Sequence, residues 1–559
     1  MKARHIVLLA ACAASAQVAA APADACTAAA LAPALGTVDG ESATLDAATW
    51  SAGGDGLPAH CIVTGTIGAH AGAPDATRYG NQFRLRIPQQ WNGRLVFQGG
   101  GGNNGSVGDA LGTLKDGSKS LAQGYAVVAQ DSGHQGRDPR FALDREAYLD
   151  FAHEGVHQVT LASKSLLKNF TGRAPEYAYF VGCSNGGREA LVTAQRHADF
   201  DGVVSGNAGM AVYDQWVHNM SVLRMASRVA GVPEGTTPTD TSGAFRDEQL
   251  AYAAGHFMQK CDRLDGAVDG LMSNVAACRS TPEDIRALQC RADGGASTDA
   301  RCLSRVQAGG LAELYDGLRD RKGELVHPGF YPGSIEHGMR ETYLGVAGSD
   351  FPLGSFYKSI MPNFYYMGYG FRGYPGVTGP ADEVASYPAS SVGYVARFDV
   401  EKEPAKLAQG RLDFHGANVD PARPGPNFEA FYRRGGKMLI YTGSADPAVQ
   451  ARAIVGLVER IGRQYGAGAA NMARLFMVPG MAHCRGGATA DQFDQLAPLA
   501  AWVERGVAPE RIEARALPGS ALDPDGKGVS RPLCAWPRYA RYQGGPVNEA
   551  ASHACVAPD

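Results

Sequence analysis

One ten-residue run, Val181-Gly-Cys-Ser-Asn-Gly-Gly-Arg-Glu-Ala190, restricts what this 559-residue chain can fold into more than any other stretch. Its centre is Gly182-x-Ser184-x-Gly186. A strand-like Tyr177-Ala-Tyr-Phe-Val181 precedes it and a helix-like Arg188-Glu-Ala-Leu-Val-Thr-Ala-Gln-Arg196 follows. Strand, sharp turn and helix in that order make a nucleophile elbow, in which glycines let the turn close and one serine hydroxyl stands above the sheet edge. The bare pattern recurs by chance in a chain with 72 glycines, so the flanking elements carry the weight.

A serine hydroxyl is a weak nucleophile until a base takes its proton. On this architecture an acid and then a histidine follow the serine in chain order. The buried-strand pattern Lys437-Met-Leu-Ile-Tyr441 runs into Thr442-Gly-Ser-Ala-Asp446-Pro447, and Ala473-Arg-Leu-Phe-Met-Val478 runs into Pro479-Gly-Met-Ala-His483-Cys484. The same strand-then-loop order thus ends in Ser184, Asp446 and His483. An Asp-Pro pair also initiates turns, which is the plain alternative for Asp446. Asp131, after the strand Tyr125-Ala-Val-Val-Ala129, is the competing acid, but it precedes the serine.

Eleven cysteines are present, and setting aside Cys12 in the N-terminal segment leaves ten: Cys26, Cys61, Cys183, Cys261, Cys278, Cys290, Cys302, Cys484, Cys534 and Cys555. An even set in an exported chain points to a disulfide framework whose pairing the count leaves open. One pair has a mechanical reason. Cys183 precedes the candidate nucleophile and Cys484 follows the candidate base, so a bridge would limit how far Ser184 and His483 drift apart.

Gly-Cys-Ser184-Asn-Gly-Gly together with Asp446 and His483-Cys484 resembles the tannase and feruloyl esterase family, and the resemblance spans the mature chain. It implies an α/β-hydrolase fold with a large inserted lid domain, a serine carboxylic ester hydrolase, and the roles of nucleophile for Ser184, base for His483 and orienting acid for Asp446. It also implies the pairs Cys26–Cys61, Cys183–Cys484, Cys261–Cys278, Cys290–Cys302 and Cys534–Cys555.

The N-terminus reads as a secretory signal over 1–21, with Lys2 and Arg4, an apolar stretch Ile6–Ala14 and a small-residue cleavage site. Leu9-Ala-Ala-Cys12 also matches a lipoprotein box, but it would leave an unusually short signal; a secreted or periplasmic protein is expected, with lipid anchoring at Cys12 the alternative. Net charge is −4 and no basic cluster occurs, which argues against a nucleic-acid partner. The mature chain of about 540 residues exceeds one ordinary domain. Hydrolase signals fall at both ends, so the expected division is 22–209 and 431–559 for the hydrolase and 210–430 for a lid over the ligand-binding edge of the sheet.

The run Arg94-Leu-Val-Phe-Gln98-Gly-Gly-Gly-Gly102-Asn-Asn-Gly105 is a strand entering a glycine loop, where such folds supply one oxyanion donor. Asn185 N–H is one expected donor and Gly99 or Gly100 the other; the family resemblance selects Gly99. A phosphate loop is disfavoured because no Gly-Lys-Ser/Thr follows. In the lid, Cys261-Asp262-Arg-Leu-Asp265-Gly-Ala267-Val-Asp269-Gly-Leu271 crowds three carboxylates, reading either as a solvated acidic turn or as a Ca²⁺ loop. The resemblance implies structural Ca²⁺ held by Asp262, Asp265 and Asp269 and by the carbonyls of Ala267 and Leu271, with no organic cofactor.

The expected substrate is a small aromatic ester. Feruloyl (hydroxycinnamoyl) or galloyl esters lead, and mono(2-hydroxyethyl) terephthalate is the alternative, since the lid departs from terephthalate-type members around 355–400. Tyr365, Tyr366, Tyr369, Phe371 and Arg372 are candidate lid contacts to an aromatic acid. The rival of another class is a non-catalytic binding protein on a hydrolase fold.

Overall fold

The computed structural model describes residues 23–72, 76–209, 212–236, 238–291, 295–296, 299–320, 322–333, 335–349, 353–354 and 427–558. The segment 1–21, expected to be a secretory signal, and the aromatic residues at 365–372 lie outside them. A ten-stranded sheet dominates. Its strands, numbered here in chain order, are β1 (Gly36–Val38), β2 (Glu41–Ser51), β3 (His60–Ala71), β4 (Arg78–Pro88), β5 (Arg94–Gln98), β6 (Ala126–Gln130), β7 (Tyr177–Cys183), β8 (Gly202–Gly206), β9 (Lys437–Gly443) and β10 (Ala473–Val478). Their order is β1-β2-β3-β4-β6-β5-β7-β8-β9-β10, antiparallel through β4 and β6, then parallel to β10.

The parallel strands read as near-continuous apolar runs because both sheet faces are covered. Neighbouring residues go to opposite sides. Phe97, Phe180, Val203 and Ile440 join one core cluster, while Val96, Tyr179, Val204 and Leu439 join another. The principal helices are α1 (Gly155–Thr171), α2 (Asn185–Arg196), α3 (Val212–Val229), α4 (Asp247–Cys261), α5 (Arg305–Asp316), α6 (Ala451–Tyr465) and α7 (Leu496–Arg505). Leu166 of α1, Leu191 of α2 and Leu457 of α6 pack in the first cluster; Leu499 and Trp502 of α7 pack in the second.

β8 and β9 pair directly, Gly202 opposite Lys437 and Gly206 opposite Tyr441, although more than two hundred residues separate them. The described part of that insertion is mostly helical. Leu223 of α3, Phe257 of α4 and Leu311 of α5 share a third apolar cluster, which also takes in Phe141 and Phe151 from before the nucleophile. The insertion therefore docks on the first half of the hydrolase unit through a continuous core. Five disulfides join Cys26–Cys61, Cys183–Cys484, Cys261–Cys278, Cys290–Cys302 and Cys534–Cys555. Among the described residues no helix is long and apolar enough to cross a membrane.

Candidate active site

Ser184 stands between the end of β7 and the start of α2, with φ 61° and ψ −119°. That conformation is unfavourable for a residue with a Cβ and is the expected signature of an elbow serine. The glycines on either side permit it by allowing close backbone approach. A Cβ on Gly182 would lie 2.5 Å from the Gly186 carbonyl carbon, and one on Gly186 would lie 2.7 Å from the Gly100 oxygen. Ser184 N–H donates to Gly206 O at 2.9 Å and Gly186 N–H to Gly100 O at 3.0 Å, tying the turn to its neighbours.

Asp446 and His483 follow the C-terminal ends of β9 and β10, so all three side chains gather at one sheet edge. His483 Nε2 is 2.8 Å from Ser184 Oγ, and His483 Nδ1 is 2.8 Å from Asp446 Oδ2. Asp446 is buried. Its Oδ1 accepts from the N–H groups of Ala448 (2.8 Å) and Val449 (3.0 Å), and Asn207 Nδ2 donates to its Oδ2 at 2.5 Å. These donors orient the carboxylate and leave Oδ2 facing the imidazole. The competing acid, Asp131, lies elsewhere. It accepts from Gln82 N–H, Gly133 N–H and Gln135 Nε2.

Burial acts to lower the His483 pKa, but the charge of Asp446 and its hydrogen bond outweigh that and hold the ring above its ordinary value. A base must be neutral to accept a proton. Activity is therefore expected to fall as pH drops through this raised pKa, with the acidic limb of kcat/KM centred above the value of a free histidine. Asp446→Asn is expected to move that limb to lower pH and cut kcat about 10⁴-fold. A pH–rate profile of both proteins checks this, and an unmoved limb counts against it.

The expectation for Gly99 is corrected. β5 ends at Gln98 as the strand pattern suggested, but the bond that closes its ladder with β7 falls on the next residue: Gly99 N–H donates to Val181 O at 2.9 Å. Gly100, the alternative, is also engaged, its N–H 3.1 Å from Glu189 Oε2. Neither amide is available to an oxyanion. Gly101 and Gly102 have open space where a side chain would stand, and their N–H groups meet no acceptor among the described residues. Asn185 opens α2, where an N–H has no partner within the helix. Buried Glu189 organises this corner, receiving Asn104 Nδ2 at 2.7 Å and Asn185 Nδ2 at 3.3 Å.

Sequence reasoning missed three supporting residues. Asn207 follows β8, in the same strand-then-loop position as the triad members, and that signal was open to view. Lys115 carries none. Its buried ammonium donates to the Cys484 carbonyl at 2.6 Å and lies over the Tyr441 and Phe493 rings, while burial lowers its pKa to about 8. Tyr343, from the insertion, donates its hydroxyl to the Pro447 carbonyl at 2.6 Å and so braces the loop of Asp446. Cys484, with φ 64°, bonds Cys183 across a Cα–Cα distance of 6.1 Å.

In the acidic loop, Asp262 Oδ2 accepts from Gly270 N–H (3.0 Å), and Asp265 accepts from Ala267 N–H (3.2 Å) and Ser273 N–H (2.7 Å). Asp269 accepts from Leu271 N–H at 3.1 Å and pairs with Arg531 at 2.6 Å. Burial raises the Asp265 pKa to about 6. Asp262 Oδ1 is buried and has no hydrogen-bond partner among the described residues, and this oxygen fits a cation.

A mixed sheet, parallel from β6 to β10, with a serine elbow, an acid and a histidine at the C-terminal ends of those strands defines the α/β-hydrolase class. The family model "Tannase and feruloyl esterase" matches residues 61–353 and 420–556. Mono(2-hydroxyethyl) terephthalate hydrolase of Piscinibacter sakaiensis is 34% identical over 565 residues, covering 94% of this chain and 89% of that protein. A probable feruloyl esterase of Arthroderma benhamiae is 27% identical, covering 84% and 81%. The crystal structure of feruloyl esterase B from Aspergillus oryzae superposes with a TM-score of 0.71 at 22% identity, covering 92% of this chain and 97% of that one. The chain belongs to the tannase and feruloyl esterase family. It is a carboxylic ester hydrolase.

Proposed function

We propose that the protein is an exported serine esterase that cleaves small esters of aromatic carboxylic acids through an acyl-serine intermediate. The observation that carries the mechanism is the continuous chain Ser184 Oγ–His483–Asp446, both links 2.8 Å long. His483 Nε2 takes the serine proton as Oγ attacks the ester carbonyl. The oxyanion that forms meets Asn185 N–H and an amide of Gly101 or Gly102; removing one such donor typically costs about 10²–10³ in kcat. The imidazolium, steadied by Asp446, protonates the departing alcohol. Water then enters, loses a proton to the same nitrogen and releases the acid.

The aromatic acid is supported by the relatives, which are named for ferulate and terephthalate esters. The test is turnover of methyl ferulate, methyl gallate and mono(2-hydroxyethyl) terephthalate beside a matched anilide and an aliphatic ester. We expect hydrolysis of at least one aromatic-acid ester well above the anilide and the aliphatic ester. Preference for the aliphatic ester would reject the substrate class, and preference for the anilide would reject esterase chemistry in favour of amidase chemistry. Export is supported by the N-terminal signal pattern and the five disulfides, which persist in oxidising compartments.

Calcium is proposed for the acidic loop, held by Asp262, Asp265 and Asp269 with the carbonyls of Ala267 and Leu271. The ion would neutralise crowded carboxylates and stabilise the insertion without taking part in the reaction. Chelation with EGTA is expected to lower the melting temperature by an amount equivalent to about 2–3 kcal/mol when Ca²⁺ had been present near 100 times its Kd. Re-addition of Ca²⁺ should restore it, and a melting curve indifferent to EGTA rejects the site.

A further inference from the structure

At the far end of the nucleophile helix, away from the cleft, histidines and carboxylates gather in a group that the ester chemistry does not use. His153 and Glu154 complete a π-helical turn, Asp150–Glu154, that leads into α1, and His157 lies within α1 itself. His197 and Asp199 come just after α2. His153 is 7% exposed, and its Nδ1 sits 2.7 Å from Glu154 Oε1 in an alignment outside hydrogen-bond geometry. His197 Nε2 is buried with no hydrogen-bond partner among the described residues. A buried imidazole nitrogen left without a partner is costly, so His197 Nε2, next to the close His153–Glu154 pair, calls for an explanation.

One ligand atom from each of His153, Glu154 and His197 lies within 4.8 Å of the others, and the same holds for His157, His197 and Asp199. Ring geometry separates the two sets. The His157 and His197 rings stack with centroids 4.0 Å apart and planes 10° from parallel. Lone pairs in parallel stacked planes do not converge on one ion. His153 and His197 stand 6.4 Å apart with planes at 37°, an arrangement in which ring nitrogens can face a common point. His157 is already engaged, its Nδ1 2.9 Å from Asp199 Oδ2. It flanks the group as a stacked neighbour.

We infer that His153, Glu154 and His197 bind a divalent transition-metal ion of the Zn²⁺ class, clipping the start of α1 to the end of α2. Two imidazoles and one carboxylate suit Zn²⁺, Co²⁺, Ni²⁺ or Cu²⁺, whereas Ca²⁺ and Mg²⁺ take oxygen ligands. Ligand atoms around a tetrahedral ion with bonds of about 2.0–2.2 Å stand roughly 3.3–3.6 Å apart, which small side-chain rotations reach from the spacing present. The site lies a full helix length from Ser184. At about 1.5 Å per residue, the twelve residues of α2 span roughly 18 Å. Its effect is therefore on stability and not on chemistry.

The test uses the full-length protein, stripped of transition metals and kept in excess Ca²⁺ so that the acidic loop plays no part. Zn²⁺ is titrated by equilibrium dialysis and Co²⁺ by visible absorption, beside His153→Gln, His197→Gln, Glu154→Gln and His157→Gln. We expect one Zn²⁺ per chain, a Co²⁺ band of tetrahedral intensity, and a melting temperature that rises with Zn²⁺. His153→Gln, His197→Gln and Glu154→Gln should each weaken binding at least tenfold while retaining ester hydrolysis as evidence of folding, and His157→Gln should bind like the wild type. Absence of saturable Zn²⁺ binding by the wild-type protein overturns the inference without any variant, as does wild-type affinity in folded His197→Gln. Loss of binding in His157→Gln equal to that in His153→Gln also overturns the assigned ligand set.

Discussion

Replacing Ser184 by alanine is expected to lower kcat about a millionfold, to the residual rate that substrate binding and the oxyanion donors sustain without a nucleophile. The substitution removes one oxygen from a half-buried position. It leaves the elbow backbone, with φ 61° and its Gly206 and Gly100 tethers, in place. Circular dichroism and melting temperature should therefore match the wild type. A serine-directed phosphonate should label one site per wild-type chain and none in the variant. A variant that keeps its rate, or a wild-type protein that the phosphonate does not label at Ser184, removes the basis of the mechanism.

The second large effect is expected from Cys183→Ala with Cys484→Ala. β10 stands three strands away from β7, about 14 Å at the usual strand spacing. The histidine loop has to reach back across β9 and β8 to bring His483 over Ser184. The Cys183–Cys484 bond holds that reach at a Cα–Cα distance of 6.1 Å and closes a loop with a sequence separation of 301. For so long a loop the chain-entropy model gives about 5–6 kcal/mol. Freed of it, the loop retains the Lys115 bond to the Cys484 carbonyl. A displacement near 1 Å at the base typically costs about 10²-fold in rate. Melting temperature and kcat should fall together. If both stay at their wild-type values, the staple has no such role.

The parts of the site legible in the sequence are those that short-range patterning encodes. Ser184, Asp446 and His483 each terminate an apolar strand, and in a parallel sheet strand ends of the same polarity lie on one edge. Asn207 obeys the same rule after β8. The limits are equally specific. Whether Gly99 or a later glycine offers a free amide depends on where the β5–β7 ladder stops, a matter of one hydrogen bond to Val181. Asp269 reads as one carboxylate of an acidic turn, yet its partner Arg531 comes from the other end of the chain. Tyr343 supports Pro447 only because the insertion folds back onto the acid loop. His153 and His197 lie far apart in number and show no motif; a π turn before α1 and the length of α2 bring them together.

By itself the amino-acid sequence determined the elbow, the strand-and-loop order of the triad, an even cysteine set and the place of the insertion. Each of these rests on backbone preference and apolar periodicity within a window of a few residues. Only the tertiary structure decided which amide protons are already spent, which loop reaches which strand end, and which distant side chains share a buried space. Hydrogen-bond direction and close packing are properties of surfaces brought into contact, and no local window of the chain contains both surfaces.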